Sequence, residues 1–355
     1  MHKAGTIVLP IAGRSSRFPG LRPKWMLAAP TGELMLELSL ATVPDWQSHR
    51  VVIGGLREHL EDLKGATAIR RALGDHPDVV SFDQPTSGPG ETVAQILQRA
   101  EVTGPIFIKD CDSWFDPSED VFGDVVCFAD LRLATGVRNV AGKSFVTLNE
   151  NGLVSGILEK SVSSNFISVG GYGFHDAHVF VDAHRKLMAD GHRGEPFVSH
   201  VILEAMRMGA VFRGVEGRRY EDMGTLEAWN AFRRKRRVYF VDLDGVVLRN
   251  AGQYIPPLWD DPDVPLPRNV EILRNLAEAG AQLIFVTARP ERYRNKTEQS
   301  LRELGLSWHA MVFGVNHSSR VLINDFAPSN PYPSAIALNC LRNDDHLDQL
   351  IQRDD

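Results

Sequence analysis

The stretch TIVLPIAGRSSRF, residues 6–18, followed after a turn by Pro23 and Lys24, decides how the first half of the chain is read. A short β-branched run forms a strand, and this one passes straight into a Gly-containing loop. Such a loop exposes backbone N–H groups that can cradle a triphosphate, while Arg17 and Lys24 place fixed positive charge beside it. Gly13 alone fits an ordinary tight strand-to-helix turn equally well. The order of strand, AGRSSRF and Pro-Lys within the first 25 residues is more restrictive.

Working outward, similar runs recur at RVVIGG (50–55) and PIFIKDCD (105–112), with helical spacing of apolar residues at 32–40 and 91–101. This alternation predicts an α/β fold with a largely parallel, Rossmann-like sheet. From about 149 to 174 the pattern becomes short strands broken by Gly152, Gly156, Gly170, Gly171 and Gly173, which predicts an antiparallel extension and a substrate pocket. The run RRKRR, 233–237, stands directly before VYFVDLDGVV, 238–247. With no aromatic interleaving it reads as a solvated helix end, and it marks a boundary between domains 1–236 and 237–355. A second alternation then follows: strand 238–243, helix 268–280, strand 282–287, helix 291–304, and strands near 310–313, 320–324 and 335–339.

At 355 residues the chain is more than twice the usual domain length of about 150, in keeping with two domains. Hydrophobic residues at 43% and charged residues at 24% exclude a disordered, collagen-like or coiled-coil chain. The net charge of -6 supplies no basic field for nucleic acid or anionic lipid, so small ligands are the expected partners. Cys111, Cys127 and Cys340 are odd in number and far apart, which argues against a disulfide framework or CxxC metal site and for a reducing compartment. The amino terminus lacks a signal-peptide pattern, and no stretch approaches the roughly 18 apolar residues of a membrane span. A soluble, cytoplasmic enzyme is expected, its oligomeric state left open.

The order of segments in the first half resembles that of the sugar-phosphate nucleotidylyltransferases. AGRSSRF and Pro23-Lys24 are similar to their phosphate loop, PTSGPGETV (85–93) to the segment framing the base, and DCDSWF (110–115) to the strand end bearing a metal-binding Asp. LEKS (158–161) and SVGGYGF (168–174) resemble the acceptor pocket, and YEDMGT (220–225) the closing Asp-x-Gly-Thr. The loop lacks the second Gly of the commoner form. The resemblance implies that Ala12, Gly13, Ser15, Ser16, Gly88, Glu91 and Thr92 bind an NTP, and that Glu159, Lys160, Gly171 and Tyr172 bind a phosphorylated acceptor. It further implies Mg²⁺ on Asp112 and Asp222, with Arg17 and Lys24 neutralising the reacting phosphates. Asp112 is preferred because a residue just past a strand's carboxyl end faces the ligand crevice, with Asp110 as second choice. Taken singly, Asp222 also fits a helix cap, Glu159 and Lys160 a surface pair, and Tyr172 the core.

VYFVDLDGVVL sets Asp242 and Asp244 directly after an apolar strand, where crowded acids invite a cation and Gly245 lets the backbone turn. With VTAR (286–289) and LINDFAPSNPYPSAIALN (322–339) following in order, this half resembles the haloacid dehalogenase-like (HAD) hydrolases. The resemblance implies an aspartyl-phosphate on Asp242, acid–base work by Asp244, phosphoryl contact from Thr287, and Mg²⁺ held by Asp242, the Asp244 carbonyl and Asp325. Arg320 is favoured over Lys296 as the basic residue, and Asn324 stands where relatives carry a second acid. The spacings from Asp242 to Thr287 and on to Asp325 leave no room for a cap domain. The joint expectation is a bifunctional enzyme that couples a sugar- or alditol-type phosphate to an NTP, CTP favoured, and hydrolyses a monoester, in capsule or cell-envelope precursor synthesis. The alternatives are a transferase with a silent second domain and a nucleotide-sugar sensor.

Overall fold

The opening run forms strand β1 (Thr6–Ile11), whose alternation sends Ile7, Leu9 and Ile11 into one apolar layer and Val8 into another. Burial on both faces explains why the run is almost wholly apolar. β2 (Arg50–Leu56) pairs with it in parallel, β3 (Asp78–Phe82) continues beyond β2, and β4 (Ile106–Lys109) lies parallel on the other side of β1. In this computed structural model, residues 5–134, 137, 139–250, 259–325 and 335–352 are described. The chain divides into two units, Met1–Phe232 and Arg233–Asp355.

The first unit goes on through β5 (Ser113–Pro117), β6 (Val125–Asp130), β7 (Ser144–Leu148), β8 (Val154–Glu159), β9 (Phe166–Phe174) and β10 (Arg213–Asp222). The sheet order is β3-β2-β1-β4-β9-β6-β10-β5, with β7 paired to β8 and β9. β9 runs antiparallel to both β4 and β6, and β7 runs antiparallel to β8 and β9, so the antiparallel extension expected for 149–174 is present. β10 is parallel to β6, and therefore to β1 and β4. The carboxyl ends of β1, β4 and β10 thus emerge at one edge of the sheet. Strand order reverses between β1 and β4, which opens a crevice at that edge.

Helices α1 (Met35–Leu40), α2 (Arg57–Leu60) and α3 (Gly65–Leu73) lie on one side of the chain order and α4 (Pro89–Arg99), α5 (Ala177–Ala189) and α6 (Val198–Arg207) follow. Leu36, Leu40, Ile69 and Leu73 pack on the Ile7 layer, whereas Val93, Ile96, Phe180, Val201 and Ile202 pack on the Val8 layer. α7 (Leu226–Arg234) supplies Trp229 and Phe232, which join Phe18, Ala29, Met35 and Met223 in a smaller cluster. That cluster pins the end of the first loop and the residue after Asp222.

The second unit contains a three-stranded parallel sheet of β11 (Val238–Asp242), β12 (Gln282–Val286) and β13 (Ala310–Val312). Helices α8 (Pro267–Glu278), α9 (Arg294–Glu303) and α10 (Leu347–Gln352) accompany it, over a core of Val241, Leu243, Leu273, Leu283, Phe285 and Leu301. The strands expected at 320–324 and 335–339 do not form. Both segments lack regular structure, and Val321 and Ile323 are 82% and 91% exposed. β-branched composition favours a pleated, half-buried surface but makes no strand without a partner to pair with.

Candidate functional site

Three loops meet at the carboxyl edge of the first sheet. The loop after β1 turns at Ser15, which has φ +52°, and the Ser15 hydroxyl accepts a hydrogen bond at 3.0 Å from the backbone N–H of Lys24. This bond, with the start of a short 3₁₀ turn at Lys24–Met26 whose Trp25 is buried, aims the Lys24 side chain at the end of β4. There the Lys24 ammonium donates to the Asp112 carboxylate. The third loop follows β10: Asp222 accepts from the Gly224 N–H at 3.0 Å, and the Met223 N–H donates to the Asp112 carbonyl at 2.9 Å. Asp222 does not cap α7, since the Ala228 N–H donates to Thr225 Oγ1 instead.

Gly224 shows how near the two carboxylates lie. A Cβ added there would sit 2.8 Å from one Asp112 oxygen and 3.2 Å from one Asp222 oxygen. Asp110 faces elsewhere: a Cβ on Gly170, which has φ +76°, would lie 2.5 Å from its carboxylate. The structure therefore brings Asp112 and Asp222 together and holds Asp110 beneath β9.

Two further ammonium groups complete the cluster, and neither was singled out from the sequence. Lys143, just before β7, donates to Asp222 at 2.6 Å and to the Tyr220 hydroxyl at 3.2 Å. Lys109, fully buried at the end of β4, donates to Ser39 Oγ (2.7 Å), the Asp110 carbonyl (3.2 Å), the Ser113 carbonyl (2.6 Å) and Ser113 Oγ (2.8 Å). Its bonds span both ends of the Asp110–Ser113 turn and fix the Asp112 backbone. No local pattern marks either lysine; each is defined by partners distant in sequence.

The electrostatics follow from crowding. Burial would raise the Asp112 carboxyl, but the Lys24 ammonium and its hydrogen bond bring it down to about 2. Burial, then the neighbouring Asp112 charge, pushes Asp110 up to about 6. Burial lowers Lys109 to about 8 against the attraction of the aspartates. Cys111, between the two aspartates in sequence and packed in the apolar layer of Ile7, is pushed up to about 12 by burial.

The remaining expected residues scatter around this cluster. Ala12 is buried in the core, Gly13, Ser16 and Arg17 are exposed, and Ser15 lines an open cleft of about 440 Å³ with Arg14, Ser16 and His59. Gly88 and Thr92 serve the helix: Thr92 Oγ1 lies 2.6 Å from Thr86 Oγ1 and 3.2 Å from the Gly88 carbonyl. Glu91 accepts from the Ser87 N–H at 2.7 Å and from Gln95 at 2.8 Å. Glu159 accepts from Ser144 and from Ser199 at 2.7 Å, while Lys160 is exposed with its ammonium 4.2 Å from the Phe197 ring centroid. A Cβ on Gly171 would collide with Phe115 at 2.7 Å, so this glycine is a packing position. Tyr172 is buried and accepts from Ser168 at 2.9 Å.

In the second unit, β11 and β12 are parallel neighbours, so Asp242 and Thr287 emerge at one edge. Arg320 grips Asp242 through two hydrogen bonds of 3.1 Å. Burial raises the Asp242 carboxyl above its usual range, against the pull of Arg320. Asp244 is held by Arg289, whose Nη2 lies 2.8 Å from Oδ1 and whose Nε lies 3.1 Å from Oδ2, and Thr287 Oγ1 lies 3.4 Å from the same Oδ2. Arg289 also binds Asp263 at 2.8 Å and Thr297 at 3.0 Å. The string VTAR contained Arg289, but its role is visible only from the fold. Lys296 donates instead to the carbonyls of Trp259 and Asp261, at 2.6 and 2.5 Å. Asp325 lies exposed in the irregular segment.

Among the described residues, no three His, Cys, Asp or Glu side chains converge to hold a metal ion. The Asp112–Asp222 pair flanking Gly224 still suits Mg²⁺, which commonly takes one or two carboxylates and completes its shell with water and substrate phosphate. The set expected in the second unit does not suit it in this arrangement, because Asp242 and Asp244 are each taken by a guanidinium.

No protein-family model matches the chain, and no curated protein is similar enough to match it. Solved structures do share the fold of the large mixed sheet. A nucleoside-diphosphate-sugar pyrophosphorylase from Vibrio cholerae RC9 is similar over 64% of this chain and 99% of its own, with 20% identity and a TM-score of 0.54. The inositol-1-phosphate CTP transferase from T. maritima covers 63% of this chain and 90% of its own, with 15% identity and a TM-score of 0.51. The large sheet therefore has the nucleotidyltransferase fold.

Proposed function

We propose that the first unit is a nucleotidylyltransferase that joins a nucleoside triphosphate to a small phosphorylated acceptor, a sugar or alditol phosphate, and releases pyrophosphate. The observation that carries this reading is the convergence of Lys24, Asp112 and Asp222 at the strand-order reversal, beside the Ser15 loop. An acceptor phosphate oxygen would attack the α-phosphorus of the triphosphate and the bond to pyrophosphate would break. Lys24 meets the charge that builds on the reacting phosphate, and the exposed Arg17 meets the departing pyrophosphate. Mg²⁺, held by Asp112 and Asp222, would supply further neutralisation of the phosphate oxygens. CTP is the favoured donor and a cell-envelope or capsule precursor the favoured product, by analogy with the family the sequence resembles. The test is a matrix of four NTPs against sugar- and alditol phosphates, read as pyrophosphate; no release in any combination would remove the proposal.

For the second unit, over 237–355, we propose a HAD-type phosphatase: Asp242 attacks a phosphate monoester, Asp244 protonates the leaving alkoxide, and water then hydrolyses the aspartyl-phosphate. The shared edge of Asp242, Asp244 and Thr287 supports this. A second reading, a silent domain used for regulation or assembly, is favoured by the guanidinium bound to each of the two acids. Phosphate release from p-nitrophenyl phosphate separates them. The phosphatase reading requires release that disappears in Asp242→Asn.

A further inference from the structure

Lys24 is paired with Asp112 and Lys143 with Asp222, so each acid of the pair that would hold a cation is already matched by one of the protein's own ammonium groups. The pairs are partly shielded from water, Lys143 being 20% and Asp222 9% exposed. Interactions there are screened by solvent and salt less than at an open surface. A bare divalent cation approaching Asp222 must compete with an ammonium already on one of its oxygens, and Lys24 sits on the neighbouring acid. A cation that arrives with phosphate groups brings an anion onto which a displaced ammonium can move.

Lys143 is built for such a move. Its backbone is fixed at the open end of the β7–β8 hairpin, where its carbonyl accepts from the Lys160 N–H at 3.1 Å. Its ammonium has a second berth, the Tyr220 hydroxyl at 3.2 Å and the Tyr220 ring centroid at 5.8 Å. A flexible four-carbon stem lets the ammonium shift without backbone motion. Lys160, the lysine expected from the sequence at the acceptor, lies exposed against Phe197 instead.

We propose that Lys143 is a resident counter-ion of Asp222 that disfavours binding of a bare divalent cation and yields to a cation delivered as its nucleoside triphosphate complex. The inference rests on the reading of Asp112 and Asp222 as the metal-binding pair of the first unit. Manganese is the probe, with free Mn²⁺ followed by electron paramagnetic resonance in the absence of nucleotide. Lys143→Met should bind Mn²⁺ roughly tenfold more tightly than the wild type, a tenfold change being what one modest competing contact supplies. Lys143→Gln should show the same direction, and Lys143→Arg should remain near the wild type. Adding Asp222→Asn to Lys143→Met should erase the gain. Equal or weaker binding in both neutral variants overturns the inference, as does a gain that survives Asp222→Asn. If the gain is seen but no NTP yields pyrophosphate, the proposed activity fails and the counter-ion stands; metal-dependent pyrophosphate release with unchanged Mn²⁺ affinity gives the reverse.

Discussion

Replacing Lys24 by Met removes the ammonium that holds Asp112 ionised, while a side chain of similar length keeps the space filled. The Asp112 carboxyl titrates at about 2 in the fold against 3.8 unperturbed. At 1.36 kcal/mol per pKa unit, the net depression corresponds to about 2 kcal/mol, what is left after Lys24 and its fellow lysines have offset the cost of burial. Its folded pKa is depressed, so the contribution is fully present above pH 3.8 and is lost as pH falls through about 2. Lys24→Met, which leaves the carboxylate buried without its main partner, should be less stable by about 2 kcal/mol or more at pH 7.5, and the gap should begin to close below about pH 4. Hydrogen exchange of the β1 and β4 amides, with EDTA present, reads this in the first unit alone. Pyrophosphate release should fall by about 10²–10³, the usual effect of removing one preorganised charge. A stability gap that is the same at pH 3.5 and 7.5 would refute the ion-pair account, and undiminished release would refute the catalytic one.

Three other outcomes are expected. Gly224→Ala places a methyl group 2.8 Å from Asp112 and 3.2 Å from Asp222, so turnover should drop about 10²-fold as the acids are forced apart, with little change in melting temperature. Arg289→Met strips the partner from Asp244 and Asp263, which are 15% and 8% exposed, and should cost the second unit about 3–5 kcal/mol in urea unfolding. Arg320→Ala breaks a pair that is 47% and 34% exposed, and in the same assay should cost under about 1 kcal/mol.

What could be read from the sequence was whatever is encoded locally. TIVLPIAGRSSRF and VYFVDLDGVV each place a strand and its charged loop within about a dozen residues, and both strands form there. Lys24, Asp112 and Asp222, drawn from separate motifs, meet at one edge because β1, β4 and β10 share a direction. Lys109, Lys143 and Arg289 were not legible, since a lysine or arginine becomes part of a site only through acids and carbonyls that folding brings near it. RVLIN misled for the converse reason: its side chains suit a strand, but strand formation also needs a neighbouring backbone, and the segment stays exposed.

The burial of Cys111 in the apolar layer has a practical consequence. Burial holds its thiol, and that of Cys127, protonated up to about pH 12, so neither offers the thiolate that alkylating reagents require. Cys340 in the second unit is the one cysteine of the three that is not buried. A maleimide dye applied to the folded native protein should accordingly attach at a single point, giving a labelled protein without mutagenesis and leaving the aspartate cluster untouched.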